Sequence, residues 1–258
     1  MSLNGRVALV TGGGRGIGKA ISLALAEDGA TIAVNYRRDE DAAKETVAEI
    51  EKAGGKANAY AASVEDWDQD VAMVDQIIKD FGHIDILINN AGIASRGQGV
   101  VETDPAEMER VVRTHAFGPH YLSNLVLPSM RTRPRGDIIM ISSVAARGLG
   151  PNGGPYNIGK AAMEALAMTL FKEERRYNVR VNVVRPGLTE TEMGSRLARA
   201  TQGVQSMRDI DARSPFGRVA QPEDVANVVR YLVSEGAFYL TGQTIEVDGG
   251  GMAALPNR

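Results

Sequence analysis

The chain has 258 residues, a formal net charge of −3 and a sequence pI near 5.7. That length suits one large α/β domain, and the charge balance singles out neither nucleic acid nor an anionic membrane as a partner. No cysteine and only three histidines (His83, His115 and His120) are present, which excludes disulfides and thiolate chemistry and leaves no histidine cluster for a metal.

The opening MSLNGRVALVTGGG carries neither a charged leader nor an apolar run of signal length. No apolar stretch approaches the ~18 residues of a spanning helix, so the expectation is a soluble, cytoplasmic protein. Short runs rich in Val, Ile, Leu and Ala predict strands at Arg6–Thr11, Thr31–Tyr36, Lys56–Ala62, Ile84–Asn89, Asp137–Ser142, Val179–Arg185 and Thr244–Val247. Amphipathic stretches between them predict helices near 17–28, 39–53, 66–81, 104–131, 156–177 and 222–235. Strands that are almost continuously apolar are buried on both faces, and repeated β–α units imply right-handed crossovers. The fold class is therefore α/β: one doubly wound parallel sheet of about seven strands flanked by helices, with residues 1–258 as a single domain. Ligands of such sheets bind beyond the carboxyl ends of the strands, near the switch in strand order.

The first strand runs into Thr11-Gly12-Gly13-Gly14-Arg15-Gly16-Ile17-Gly18, a glycine-rich turn opening a helix. Glycines there let backbone amides approach a pyrophosphate at the positive helix end. The second strand ends in Tyr36-Arg37-Arg38, with no acid at the position that usually takes a ribose 2′-hydroxyl. A guanidinium at Arg37, with Arg15 approaching from the turn, suits a 2′-phosphate. NADP(H) is thus favoured; NAD(H) stays open if the neighbouring acids Asp39, Glu40 and Asp41 matter instead.

The helix after the fifth strand carries Tyr156 and Lys160 four residues apart, one turn apart on one face. A phenol with an ordinary pKa near ~10 is a poor base at neutral pH, and a nearby ammonium stabilises its phenolate. Tyr156 so placed can protonate a carbonyl oxygen, or accept an alcohol proton in reverse. Ser143, at the end of the fifth strand, can hold that oxygen.

These motifs, with Asn89-Asn90-Ala91-Gly92 after the fourth strand, Arg185-Pro186-Gly187 after the sixth and Leu240-Thr241-Gly242 leading to Asp248-Gly249-Gly250, make the chain resemble the short-chain dehydrogenase/reductase family. Its pattern is similar to the 3-oxoacyl-(acyl carrier protein) reductase-like branch. The resemblance implies a Rossmann domain, hydride transfer at a nicotinamide, Tyr156 as acid/base and Ser143 as partner of the substrate oxygen. It gives Lys160 two tasks, lowering the tyrosine pKa and holding the nicotinamide ribose. It also implies that Asn90, Ala91 and Gly92 line the cofactor, that Pro186, Gly187, Thr189 and Thr191 meet its nicotinamide end, and that the protein is a homotetramer. Two positions depart from the pattern. His115 stands where the family often has an asparagine that relays protons, and is either a relay that titrates near neutrality or a packed residue. Ser63-Val64 stands where an aspartate often meets the adenine.

The substrate is expected between residues 144–155 and a candidate lid at 188–217, which contains Met193, Leu197, Met207 and Phe216. Arg131, Arg133, Arg135, Arg175 and Arg176 raise the question of an acidic acyl carrier protein as partner, although basic residues near helix ends are ordinary. The function expected is ketone–secondary alcohol interconversion on a small molecule. The alternatives are an NAD-dependent alcohol dehydrogenase, a cofactor-retaining epimerase or dehydratase, and a non-catalytic nucleotide sensor.

Overall fold

The computed structural model describes residues 2–214 and 216–251; Met1, Pro215 and residues 252–258, which fall within the domain and lid expectations, lie outside the described residues. Seven strands form one sheet: β1 (Val7–Val10), β2 (Thr31–Tyr36), β3 (Lys56–Ala61), β4 (Ile86–Asn89), β5 (Gly136–Ile141), β6 (Val179–Pro186) and β7 (Thr244–Val247). Their order is β3-β2-β1-β4-β5-β6-β7 and every pairing is parallel. The order reverses between β1 and β4, so a crevice opens beyond the carboxyl ends of those two strands.

Alternate residues of each strand enter different cores. Leu9, Leu87, Ile138 and Met140 pack on one face, with α3 (Trp67–Phe81), α5 (Gly118–Met130) and α7 (Gly154–Glu174). Val10, Ile86, Ile88, Ile139 and Ile141 pack on the other, with α1 (Gly16–Glu27), α2 (Glu40–Lys52) and α9 (Pro222–Leu232). Helix starts follow local chemistry: Asp39, Asp66 and Asp104 each accept backbone amides of the first turn, and Pro105 and Pro222 open their helices. At the amino ends of the strands, buried Asp137 takes guanidinium groups of Arg6 (2.7 Å), Arg135 (3.1 Å) and Arg180 (2.5 Å). Arg180 also donates to the carbonyl of Leu232, fastening the end of α9 beneath the sheet.

The strand ends differ from expectation by a residue or two. Thr11 leaves β1 because the chain turns at Gly12, whose φ is +58°. The helix expected at 104–131 is three pieces: α4 (Pro105–Val112), a π-helical turn at Arg113–Phe117, and α5. Two short helices are additional, α6 (Ala145–Gly148) and α8 (Glu192–Gln202), and a 3₁₀ turn spans Met207–Arg213.

Candidate active site

The turn from β1 into α1 is a cradle that side chains would fill. Gly12 and Gly16 hold left-handed φ values of +58° and +51°. A Cβ on Gly18 would press into the Gly12 carbonyl and lie 2.6 Å from Asn90 Nδ2. The first turn of α1 has no side-chain cap, so its amides are left for an anion. Asn90 Nδ2 donates to the Thr11 carbonyl at 2.8 Å, and Thr11 Oγ1 accepts the amides of Asn90 and Ala91 at 2.8 and 2.9 Å. The loop carrying Gly92 is thereby tied to the glycine turn. Asn35, not singled out by sequence, does the same from β2: its Oδ1 accepts Gly12 N–H, and its Nδ2 donates to the carbonyls of Tyr60 and Ala62. A buried asparagine in an apolar strand was the signal for it.

At the other end of the cradle, the two arginines expected to meet a 2′-phosphate are both ion-paired. Arg37 contacts Glu65 at 3.2 Å, and the other oxygen of Glu65 accepts Thr114 Oγ1 at 2.6 Å. Arg15 contacts Glu192 at 3.1 Å; both are largely exposed, so this pair is weak and exchangeable. Tyr36 is half-buried beside them. Ser63 is held through its amide by Gln69 Oε1 at 3.0 Å, and Val64 is buried under the start of α5.

Beyond β5, Ser143 and Tyr156 come together, the serine hydroxyl close enough to act on the phenol's pKa. Burial pushes the Tyr156 phenol above its ordinary value of 10.0, and Ser143 draws it back. Lys160 is 3% exposed; its Nζ donates to the Ile141 carbonyl at 2.7 Å and lies 5.8 Å from the centroid of the Tyr156 ring. Burial pushes this ammonium down to about 7, against the opposing charge of Glu164.

His115 lies in the π turn, a distortion that recurs at functional sites. Its ring is fully buried, meets Tyr156 edge-to-face at 5.1 Å, and fills the slot between Gly92 and Gly159. Nε2 lies 2.8 Å from the Ile93 carbonyl and 3.3 Å from the Ile93 amide, the shorter contact calling for a proton on Nε2, and Nδ1 has no hydrogen-bond partner among the described residues. Burial first, and the Lys160 charge second, push its pKa down to about 3. Of the two readings of His115, this environment suits the packed residue, because a charge on the ring would be both desolvated and repelled.

After β6, Pro186 and Gly187 lead to Thr189, whose hydroxyl donates to the Gly187 carbonyl, and to Thr191, which caps α8 by accepting Gly194 N–H at 3.0 Å. The Thr191 methyl abuts Gly16: a Cβ there would be 3.2 Å from it. Within the segment expected as a lid, Ala198, Met207 and Ile210 form a small core that Val219, just beyond it, completes. Met207 is spent in that core, whereas Met193, Leu197 and Phe216 are exposed.

Three of the arginines considered for a carrier protein are engaged within the chain: Arg131 with Glu174, Arg133 with Asp85, and Arg135 with Asp137. Among the described residues no group of His, Asp and Glu could hold a metal, and no helix is long and apolar enough to cross a membrane.

A parallel sheet with this strand order and an open glycine cradle at its switch point is the frame of the nicotinamide-dinucleotide oxidoreductases. Residues 12–251 match the family profile described as Enoyl-(Acyl carrier protein) reductase. A 3-oxoacyl-[acyl-carrier-protein] reductase of Thermotoga maritima is 35% identical over 97% of this chain and 99% of its own. Versicolorin reductase of Emericella nidulans is 37% identical over 96% of each chain. Among solved structures, a 7α-hydroxysteroid dehydrogenase complexed with NADH and 7-oxo glycochenodeoxycholic acid superposes with a TM-score of 0.89, at 32% identity over 99% of this chain and 97% of that one. NAD+-bound xylitol dehydrogenase gives 0.90 at 29% identity, over 97% and 100%. The chain belongs to the short-chain dehydrogenase/reductase family and is an NAD(P)-dependent oxidoreductase.

Proposed function

We propose that the protein is an NADP(H)-dependent reductase that interconverts a ketone and a secondary alcohol, with Tyr156 giving or taking the proton. The convergence of Ser143, Tyr156 and Lys160 beyond the ends of β5 and β6 carries this reading. The bound nicotinamide supplies or accepts the hydride. Tyr156 is a neutral phenol at physiological pH, as its burial requires, and so is ready to donate to a carbonyl oxygen. Ser143 holds that oxygen beside the phenol, and the Lys160 ammonium steadies the negative charge left on Tyr156 after transfer. His115 meets the Tyr156 ring edge-to-face and helps to fix its direction.

Gly12, Gly16, Ile17 and Gly18 would take the pyrophosphate, and Tyr36, Ser63 and Val64 the adenosine. Asn90, Ala91, Gly92, Pro186, Gly187, Thr189 and Thr191 would take the nicotinamide half, with Tyr156 and Lys160. Arg37 and Arg15, released from Glu65 and Glu192, would meet the 2′-phosphate; the lack of an acid at the end of β2 supports NADP(H). NAD(H) is the second reading, favoured by the NADH and NAD+ complexes among the structural neighbours. The reductases of Thermotoga and Synechocystis support a 3-oxoacyl group on acyl carrier protein as the substrate. We read residues 188–217 as the lid of one domain, and the assembly as a homotetramer.

Tyr156→Phe tests the chemistry. Turnover of ethyl acetoacetate should fall by about 10²–10⁴-fold while nucleotide affinity, read by cofactor fluorescence, is kept. Retained turnover removes Tyr156 from the reaction. An NADPH/NADH preference unchanged in Arg37→Ala removes Arg37 from cofactor choice.

A further inference from the structure

Tyr156, Lys160 and Glu164 follow one another at four-residue steps, so they share one face of α7. Glu164 accepts three hydrogen bonds from two residues. Arg185 donates to its two oxygens from Nε at 2.7 Å and Nη2 at 2.5 Å, and the Ser142 hydroxyl donates at 2.5 Å. Arg185 reaches on to Glu246 at 3.1 Å, and Arg147 of α6 closes on Glu246 at 3.0 Å. A single carboxylate on α7 thus joins the ends of β5, β6 and β7 with the helix that follows Ser143. Ser142 is the residue before Ser143, so its hydroxyl bond to Glu164 fixes the strand end that presents the catalytic serine.

Among the described residues Lys160 has no carboxylate in contact, and its one hydrogen bond is to the Ile141 carbonyl. The groups around it are few. The π turn offers neutral His115, and α7 offers Tyr156 and Glu164. β6 offers Arg185, already on Glu164, while β7 and α6 add the Glu246–Arg147 pair behind it. On α4, Glu107 is bound to Arg96. Glu164 lies one helical turn beyond Lys160 and its negative charge supports the ammonium, so removing Glu164 takes that support away.

We propose that Glu164 is a positioning residue of the reaction, anchoring the strand end that bears Ser143 and supplying the counter-charge for the Lys160 ammonium. This rests on the assignment of Tyr156 as the acid/base. A carboxylate that merely clamps α7 to the sheet would affect stability alone; one that serves Lys160 sets the pH at which the protonated Tyr156–Lys160 pair is lost.

The test follows the Nζ resonance of Lys160 in the full chain labelled with [15N]lysine, assigned by its disappearance in Lys160→Met. The alkaline limb of ethyl acetoacetate reduction by NADPH, and the melting temperature, are measured alongside. In Glu164→Gln the Lys160 midpoint and the alkaline limb should both move down by about one pH unit, a tenfold change in the proton equilibrium. Glu164→Asp should restore most of both. Arg185→Gln, which removes a cation instead, should move the Lys160 midpoint up, and decides the question if Glu164→Gln does not fold. A midpoint unmoved in these variants, or a moved midpoint with an unmoved alkaline limb, overturns the proposal. If the Lys160 midpoint and alkaline limb move as expected while Tyr156→Phe keeps turning over, the counter-charge stands and the tyrosine assignment falls.

Discussion

Asp70 gives a prediction whose sign and size both come from its surroundings. It sits on α3, fully buried, with neither carboxylate oxygen hydrogen-bonded to any described residue. Burial pushes its pKa from 3.8 up to about 8, with repulsion from Asp66 adding to it. The folded state therefore holds a proton between about pH 4 and pH 8 that the unfolded chain releases. Stability from this group is complete below pH 4, declines as pH rises, and is gone above pH 8. At 1.36 kcal/mol per pH unit the gap sets a ceiling of about 6 kcal/mol; relaxation and water entry should leave about 2–3 kcal/mol. Asp70→Asn removes the ionisation at nearly constant shape. Urea unfolding at pH 3.5, 6 and 9 should find the variant close to wild type at pH 3.5 and more stable by that amount at pH 9. A stability difference that is the same at all three values would refute the reasoning.

Three further outcomes are expected. Gly18→Ala forces a methyl against the backbone carbonyl of Gly12, so NADPH affinity should fall by about tenfold or more in a fluorescence titration, and the melting temperature should fall too, because alanine's better helix propensity, worth about 1 kcal/mol, offsets only part of a backbone clash. Asp137→Ala strands Arg6, Arg135 and Arg180 around an empty centre, and denaturant unfolding should register a loss of about 3–5 kcal/mol. His115→Asn should leave the shape of the pH–rate profile unchanged from pH 5 to 8, because the ring carries no charge in that range; an inflection lost in the variant would show that the histidine titrates after all.

The sequence made the reaction group legible because its spacing is local. Tyr156 and Lys160 are related by one helical turn, and the glycines of 12–18 announce a turn whose geometry only glycine fits. Strand alternation was legible for the same reason. The π turn was not: Val112-Arg113-Thr114-His115-Ala116-Phe117 has an unbroken helical pattern, and the distortion shows itself only where His115 must enter the slot between Gly92 and Gly159.

Charge pairing was hidden in a different way. Arg37 and Glu65 are 28 residues apart, Arg15 and Glu192 are 177 apart, and Arg185 and Glu164 are 21 apart, so no window of sequence reveals which carboxylate an arginine will meet. These pairings also change what the arginines mean. Arg15, held by the exposed Glu192, can exchange it for a phosphate at little cost, since such surface pairs contribute about 0–1 kcal/mol, whereas Glu65 under Arg37 is half-buried. Glu192 has a second partner, Arg196, and Glu65 is held by Thr114, so each carboxylate keeps a neighbour if its arginine leaves. Arg15 thus sits on an exposed carboxylate that can release it and Arg37 on a half-buried one, whereas Arg185, on a mostly buried carboxylate fastened at both oxygens, is held more firmly. A loop arginine that exchanges and a strand arginine held more firmly are what a site needs if it must admit a dinucleotide while its proton donor stays in place.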